Sequence, residues 1–195
     1  MEYSKLINFF FEIGMLKRTP RSGFQFLGSG RESVAEHSFR TAMIGFALAR
    51  MSPEVDRFKV VCMCLVHDLP EARTGDQNYV NKRYVTVDET GAIADLAGSL
   101  PFGNELTDLL KEYRDFVTEE ARLVHDADQL DLILELKEQN DLGNPYASKW
   151  IHFARQRLTT STAKQIAEEI LRTDSTDWWF KGNDGWWKGK KTEAE

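Results

Sequence analysis

Four histidines, at positions 37, 67, 125 and 152, and a scatter of aspartates hold most of the chemistry open to this chain. His67 and Asp68 close the apolar run Val60–Val66, a costly place for two polar side chains unless something satisfies them. Capping a helix end is one way to do so; binding a metal is another. His37 favours the metal. It stands in the first turn of a segment whose stripe Thr41, Ile44 and Leu48 is expected to face inward. Two inward imidazoles beside a carboxylate suit Mn, Co, Fe, Ni or Zn. A further ligand is expected from another helix, and residues 123–134 offer Asp126, Asp128 and Asp131. At helical spacing Asp126 neighbours Arg122 and Gln129, a face that reads as solvated. Asp128 neighbours Val124 and Leu132, an apolar face. An inward carboxylate needs a partner, so Asp128 is the fourth ligand of choice. Asp131, one turn on, is a candidate to support a ligand or touch substrate. His125 is a weaker alternative ligand.

Helices must position these groups. Apolar periodicity predicts them at 3–15, 33–51, 53–68, 88–98, 102–114, 118–141, 145–158 and 160–173. Ser33 and Glu36 have capping-box spacing, with Val34, Met43, Phe46 and Ala47 continuing the apolar pattern. Residues 60–66 are apolar nearly all round, the mark of a helix at the centre of a fold. Pro70 should end that helix near His67-Asp68. Residues 17–32, broken by Pro20 and three glycines, read as loop, and so do residues 73–87, with room for a short extended piece. Without repeats or a linker, the expected architecture is all-α: one compact helical bundle over residues 1–175, followed by a Trp-rich tail over 176–195.

Composition narrows the function. Hydrophobic residues make up 42% of the 195, enough for a core. A net charge of −6 argues against a broad nucleic-acid surface, which needs clustered Lys and Arg. It leaves room for a small phosphorylated substrate. Cys62 and Cys64 are two apart on an expected helix, too divergent for a mutual disulfide, and read as buried free thiols of a reducing compartment. The first residues lack the pattern of a signal peptide, and no apolar run is long enough to span a bilayer, so a cytoplasmic location without membrane attachment is expected. In the tail, Trp178, Trp179, Trp186 and Trp187 are expected to cover apolar surface on this chain or a second copy. The nearby Lys181, Lys188, Lys190 and Lys191 leave base stacking as a lesser reading.

The fuller text Glu36-His37-Ser38, His67-Asp68-Leu-Pro-Glu71-Ala-Arg-Thr74-Gly75-Asp76 and Asp126-Ala-Asp128-Gln-Leu resembles the H…HD…D pattern of HD-domain metal-dependent phosphohydrolases, in particular their 5′-deoxynucleotidase branch. The stretch Leu16–Gly23 is similar as well, and the resemblance spans about residues 5–160. It implies an all-α fold, one divalent metal (Mn, Co, Fe, Ni, Zn or Mg) on His37, His67, Asp68 and Asp128, a homodimer, and hydrolysis of nucleoside 5′-monophosphates. Glu71 and Asp76 would lie beside the substrate, Glu71 acting on the attacking water and Asp76 on the leaving group or the pocket, with Arg21 on the phosphate or sugar. Arg18 and Lys17 are alternates to Arg21. Plainer roles for the three are an exposed loop acid, a turn aspartate and a surface arginine. Two departures fall near the expected pocket: Phe24 where the branch often has Trp, and Gln77-Asn78-Tyr79 where it often has Thr-Pro. Cyclic, polyphosphorylated or triphosphate nucleotides are the alternative substrates. A non-catalytic nucleotide-binding or dimerisation module is the alternative class.

Overall fold

The computed structural model describes residues 3–98 and 100–187. Every regular element among them is helical, and the single bridge, Pro20 to Ser33, is isolated. The order is α1 (Tyr3–Ile13), α2 (Phe24–Leu27), α3 (Val34–Met51), α4 (Arg57–Val66), α5 (Glu71–Thr74), α6 (Glu89–Ala97), α7 (Gly103–Asp115), α8 (Glu119–Asp141), α9 (Ala147–Arg155), α10 (Ser161–Arg172), α11 (Asp177–Phe180) and α12 (Asp184–Trp187), with 3₁₀ turns at Gly14–Lys17 and Asn81–Arg83.

Local chemistry sets the starts of the long helices. The Ser33 hydroxyl accepts from the Glu36 amide at 3.2 Å, and the Ser33 amide donates to Glu36 at 2.7 Å, closing the expected capping box. Thr118 caps α8 through the Ala121 amide and Thr160 caps α10 through the Ala163 amide. Asp56, accepting from the Lys59 amide, starts α4 four residues later than expected at Pro53. Residues 73–87 contain a 3₁₀ turn and no extended piece.

Helix α8 is the axis of the fold. It packs against α3, α4, α7, α9 and α10, and α3 packs on α4. Leu48, Met63, Leu123, Leu130, Ile133 and Leu136 fill the main core between them. A second core, with Leu16, Val34, Leu69, Ile93, Leu96 and Leu110, lies under α1, α6 and α7. Gly45 sits where α3 meets α4; a Cβ there would overlap the Cys64 sulfur, so its lack of a side chain permits the close approach. Both helices of this pair leave apolar side chains outside, and for α4 this overturns the expectation of a central helix. Met43 and Phe46 face solvent, at 55% and 51% exposure, together with Phe39. Helix α4 buries Val60, Met63 and Cys64 but exposes Phe58 and Leu65, so it lies against the core on one side only.

The tail forms two short helical turns with Trp178 80% and Trp186 68% exposed; these two rings cover no core of this chain. Lys188, Lys190 and Lys191 lie outside the described residues.

Candidate metal centre and nucleotide pocket

Three helices deliver the four expected ligands to one place. His37 comes from the first turn of α3, its ring fully buried. His67 and Asp68 come from the turn that ends α4, where Pro70 stops the helix and starts α5. Asp128 comes from the middle of α8. The His67 Nδ1 lies 2.8 Å from the Cys64 carbonyl. A carbonyl only accepts, so Nδ1 carries the proton and Nε2 a lone pair. The His37 Nδ1 lies 2.5 Å from Asp131 Oδ2, which likewise frees its Nε2 for another partner. Both Nε2 atoms are buried without a hydrogen bond. They face the same carboxylates: Asp68 Oδ2 is 3.5 Å from His37 Nε2 and 3.4 Å from His67 Nε2, and Asp128 Oδ1 is 3.2 Å from His37 Nε2. Ligand atoms of His37, His67 and Asp128 lie within 4.8 Å of one another. Orphaned imidazole nitrogens converging with carboxylate oxygens are a donor set that fits a divalent transition ion.

Carboxylate charge dominates the electrostatics here. Burial and Arg21 oppose charge on His37, but contact with Asp128 and the bond to Asp131 win and raise its pKa to about 10. Burial also works against the charge of Asp128, yet His37, His67 and Arg21 hold it far below the usual carboxylate range. The pocket is built to keep a cation among carboxylates.

Asp131 stands behind His37 rather than on the pocket. It is fully buried, and its second oxygen accepts from Arg40 Nε, while the other guanidinium nitrogens reach Glu135 and, at 3.0 Å, Glu138. Asp131 thus braces a candidate ligand, His37, and is not among the residues that line the cavity. His125 also lines the hollow beside these groups, but its Nε2 is engaged 3.2 Å from the Arg157 carbonyl. Asp126 overturns its solvated reading. It is fully buried and accepts from the Thr159 amide at 2.7 Å, the Thr160 amide at 2.9 Å and both hydroxyls, anchoring the start of α10.

Beside the ligands opens a cavity of about 680 Å³. Arg21 lines it, with Nη1 3.2 Å from Asp68 and 3.7 Å from Asp76, and Nη2 3.9 Å from Asp128. Asp76 also accepts from the Ser22 amide at 2.5 Å and the Ser22 hydroxyl at 2.9 Å, so it ties the Arg21 loop to the end of α5. Gly75, at a φ of +70°, makes the turn that sends Asp76 back to that loop. Glu71 lines the cavity with Oε2 buried and unbonded. Burial, then Asp68 and Asp76, push its pKa up to about 9. Lys17 and Arg18, the alternates to Arg21, do not line this cavity.

Sequence reasoning missed Glu32, Arg40 and Tyr113. Glu32 lines the cavity, its pKa raised to about 8 by burial, Asp131 and Glu135. The Tyr113 ring meets that of His67 edge-on, with centroids 5.4 Å apart. Arg40 had a signal: it follows His37 by three residues, on the same face of α3.

Known proteins share this architecture. A family model described as an HD domain matches residues 13–171. A protein named 5′-deoxynucleotidase HDDC2 from Dictyostelium discoideum is 35% identical over 147 residues, covering 69% of this chain and 77% of the relative. Its namesake from Homo sapiens is 32% identical, covering 70% and 69%. Among solved structures, a conserved hypothetical protein from Pyrococcus furiosus aligns with a TM-score of 0.73 at 33% identity, over 86% of this chain and 99% of that one. A predicted metal-dependent phosphohydrolase from Magnetospirillum magnetotacticum aligns with a TM-score of 0.69 at 27% identity, over 87% and 91%. With His37, the His67-Asp68 pair and Asp128 converging on one helical scaffold, this chain belongs to the HD-domain family of metal-dependent phosphohydrolases.

Proposed function

We propose that this protein is a 5′-nucleotidase that releases phosphate from deoxynucleoside 5′-monophosphates with one divalent ion held by His37, His67, Asp68 and Asp128. The observation that carries the reading is the pair of buried, unbonded Nε2 atoms facing Asp68 and Asp128 at the edge of a nucleotide-sized cavity. Relatives named 5′-deoxynucleotidase support the substrate class.

When bound, the ion would supply charge against the phosphoryl oxygens and lower the pKa of a water. The protein's own residues do the rest. The Arg21 guanidinium, held flat by Asp68 and Asp76, presents two N–H donors suited to a phosphate oxygen pair. Glu71 Oε2, buried and free of other bonds, would orient the attacking water or take its proton. Asp76 holds the Ser22 loop so that Arg21 keeps its reach, and stands close enough to the cavity to serve the leaving oxygen.

A second copy of the chain would cover Phe39, Met43 and Phe46 on α3, an apolar stripe at 39, 43 and 46 that the single chain leaves open. Free Cys62 and Cys64 suit a reducing, cytoplasmic setting. Among the described residues no helix is long and apolar enough to cross a membrane.

The test is to strip the protein of metal, add back Mn²⁺, Co²⁺, Zn²⁺ or Mg²⁺ separately, and measure phosphate release from ribo- and deoxynucleoside 5′-monophosphates. Release restored by metal, lost in Asp68→Ala and slowed at least a hundredfold in Glu71→Ala, is the expected result. No release with any metal from folded protein refutes the reading, and cyclic and polyphosphorylated nucleotides become the substrates to try.

A further inference from the structure

The far wall of the cavity is not used by the proposed chemistry, and its composition differs from the rest. There Tyr79, Trp150 and Arg157 stand together, and a second hollow of about 390 Å³ adjoins the first through the same three residues and Leu132. The Arg157 guanidinium carbon lies 4.5 Å from the centre of the Tyr79 ring. Trp150 meets Tyr79 edge-on, centroids 6.5 Å apart at 85°.

Arg157 differs from Arg21 and Arg40. Arg21 faces three carboxylates and Arg40 four. Arg157 faces none among the described residues, and burial alone pulls its pKa down. Its Nη1 donates to Gln129 Oε1 at 3.0 Å, and Gln129 Nε2 donates in turn to Asp128 Oδ2 at 2.9 Å. Both ends of that amide are therefore committed, and Gln129 spaces Arg157 one side chain away from a ligand carboxylate. Nε and Nη2 of Arg157 meet no acceptor among the described residues.

A cation with spare donors, stacked on the Tyr79 ring with Trp150 edge-on beyond it, suits a flat ligand with acceptor atoms on its edge better than a second phosphate. A second phosphate would want more positive charge and no indole. We propose, building on the nucleotidase reading above, that Tyr79, Trp150 and Arg157 form the nucleobase subsite, and that Arg157 selects bases whose edge offers a carbonyl oxygen, guanine foremost, over adenine. Guanine presents O6 and N7 as paired acceptors for a guanidinium fork. Adenine places an amino donor where O6 would stand. Thymine and uracil offer a single carbonyl at the corresponding edge and rank between.

The experiment compares kcat/KM for dGMP, dTMP, dAMP, dGDP and the base-free 2-deoxyribose 5-phosphate in wild type, Arg157→Met and Arg157→Lys, with the metal fixed and Tm recorded for each. Wild type should favour dGMP over dAMP by about tenfold. Arg157→Met should erase that ratio by raising the KM for dGMP more than the KM for dAMP. Arg157→Lys keeps the charge and most of the packing, so it should hold the wild-type Tm while still losing the ratio, because it lacks the planar fork. An equal loss on all substrates, an unchanged dGMP to dAMP ratio, or a loss confined to dGDP overturns the proposal. The last would make Arg157 a holder of a second phosphate. If wild type turns over no phosphate ester, the nucleotidase reading fails on its own. The subsite is then decided by calorimetric binding of dGMP and dAMP to the metal-loaded protein, where equal affinity overturns it.

Discussion

Asp126 and Asp128 are two residues apart on α8, and the structure gives them unrelated work, which a pair of substitutions can separate. Asp126→Ala removes the acceptor of the Thr159 and Thr160 amides, at 2.7 and 2.9 Å, and of the Thr160 hydroxyl at 2.7 Å, the hydroxyl that itself caps α10 through Ala163. A hydrogen bond to a charged group contributes about 1.5–3 kcal/mol. Thr159 is exposed, so water can replace part of the loss. Taking the low end for the two amides gives a destabilisation of about 3 kcal/mol. For a chain of this length that corresponds to a fall in Tm of roughly 6–12 °C. The assay is a thermal and a urea melt of the metal-free protein, followed by metal stoichiometry and kcat/KM measured well below the transition. Asp126→Ala should bind one equivalent of metal and turn over as wild type does. Asp128→Ala should do the reverse, losing metal and activity while the metal-free protein melts no lower. A wild-type Tm in Asp126→Ala would refute the capping argument. Metal lost from Asp126→Ala and kept by Asp128→Ala would refute the ligand assignment.

Asp131→Asn removes the charge behind His37, and metal affinity measured by competition with a chelator should fall about 10- to 100-fold; unchanged affinity would show that the ring needs no such support. Gly45→Ala should cost about 1–3 kcal/mol in a urea melt despite the better helix propensity of alanine, and Cys64→Ala in the same chain should restore most of it, since the Cys64 sulfur is what the new Cβ meets. Burial and nearby Asp128 push the Cys64 thiol up to about 12, and burial with Glu105 and Asp56 raises Cys62. Thiolate is the reactive form and its fraction falls as the pKa climbs above the solution pH, so at pH 8 iodoacetamide should label the native protein far more slowly than the urea-unfolded chain; equal rates would contradict the burial. Removing residues 176–195 should shift Tm by less than about 3 °C, given how exposed Trp178 and Trp186 are; a larger loss would mean the tail packs on something that matters.

What could be read from the sequence was local. The starts of α3, α8 and α10 follow from Ser33, Thr118 and Thr160, whose partners lie three residues away. Asp128 could be singled out because the residues one turn to either side, Val124 and Leu132, are apolar. The same reasoning failed at Asp126, because its partners come from residues 159 and 160 and no neighbour on α8 announces them. Nor did it foresee that Met43 and Phe46 face solvent. Periodicity shows that a helix has apolar positions but not which of two apolar stripes meets the core, and α3 turns His37, Thr41 and Leu48 inward. Asp131 was visible as an acid near the ligands; its place behind His37 depends on Arg40, which reaches it across 91 residues of chain.

Helix α8 bears Asp126, Asp128 and Asp131 within two turns, aimed respectively at α10, the cavity and α3. Each added residue turns a helix by about 100° and advances it by about 1.5 Å. One codon inserted between Thr118 and Asp126 would therefore swing all three acids off their targets together, and a deletion there would do the same in the other sense. The turn at residues 142–146 positions none of these acids: Leu142, Gly143 and Tyr146 are exposed, and Asn144 reaches back to the Leu27 carbonyl and the Ser29 hydroxyl at 2.9 and 2.7 Å. Length variation among natural or engineered versions of this protein should collect in that turn and be absent from the first half of α8.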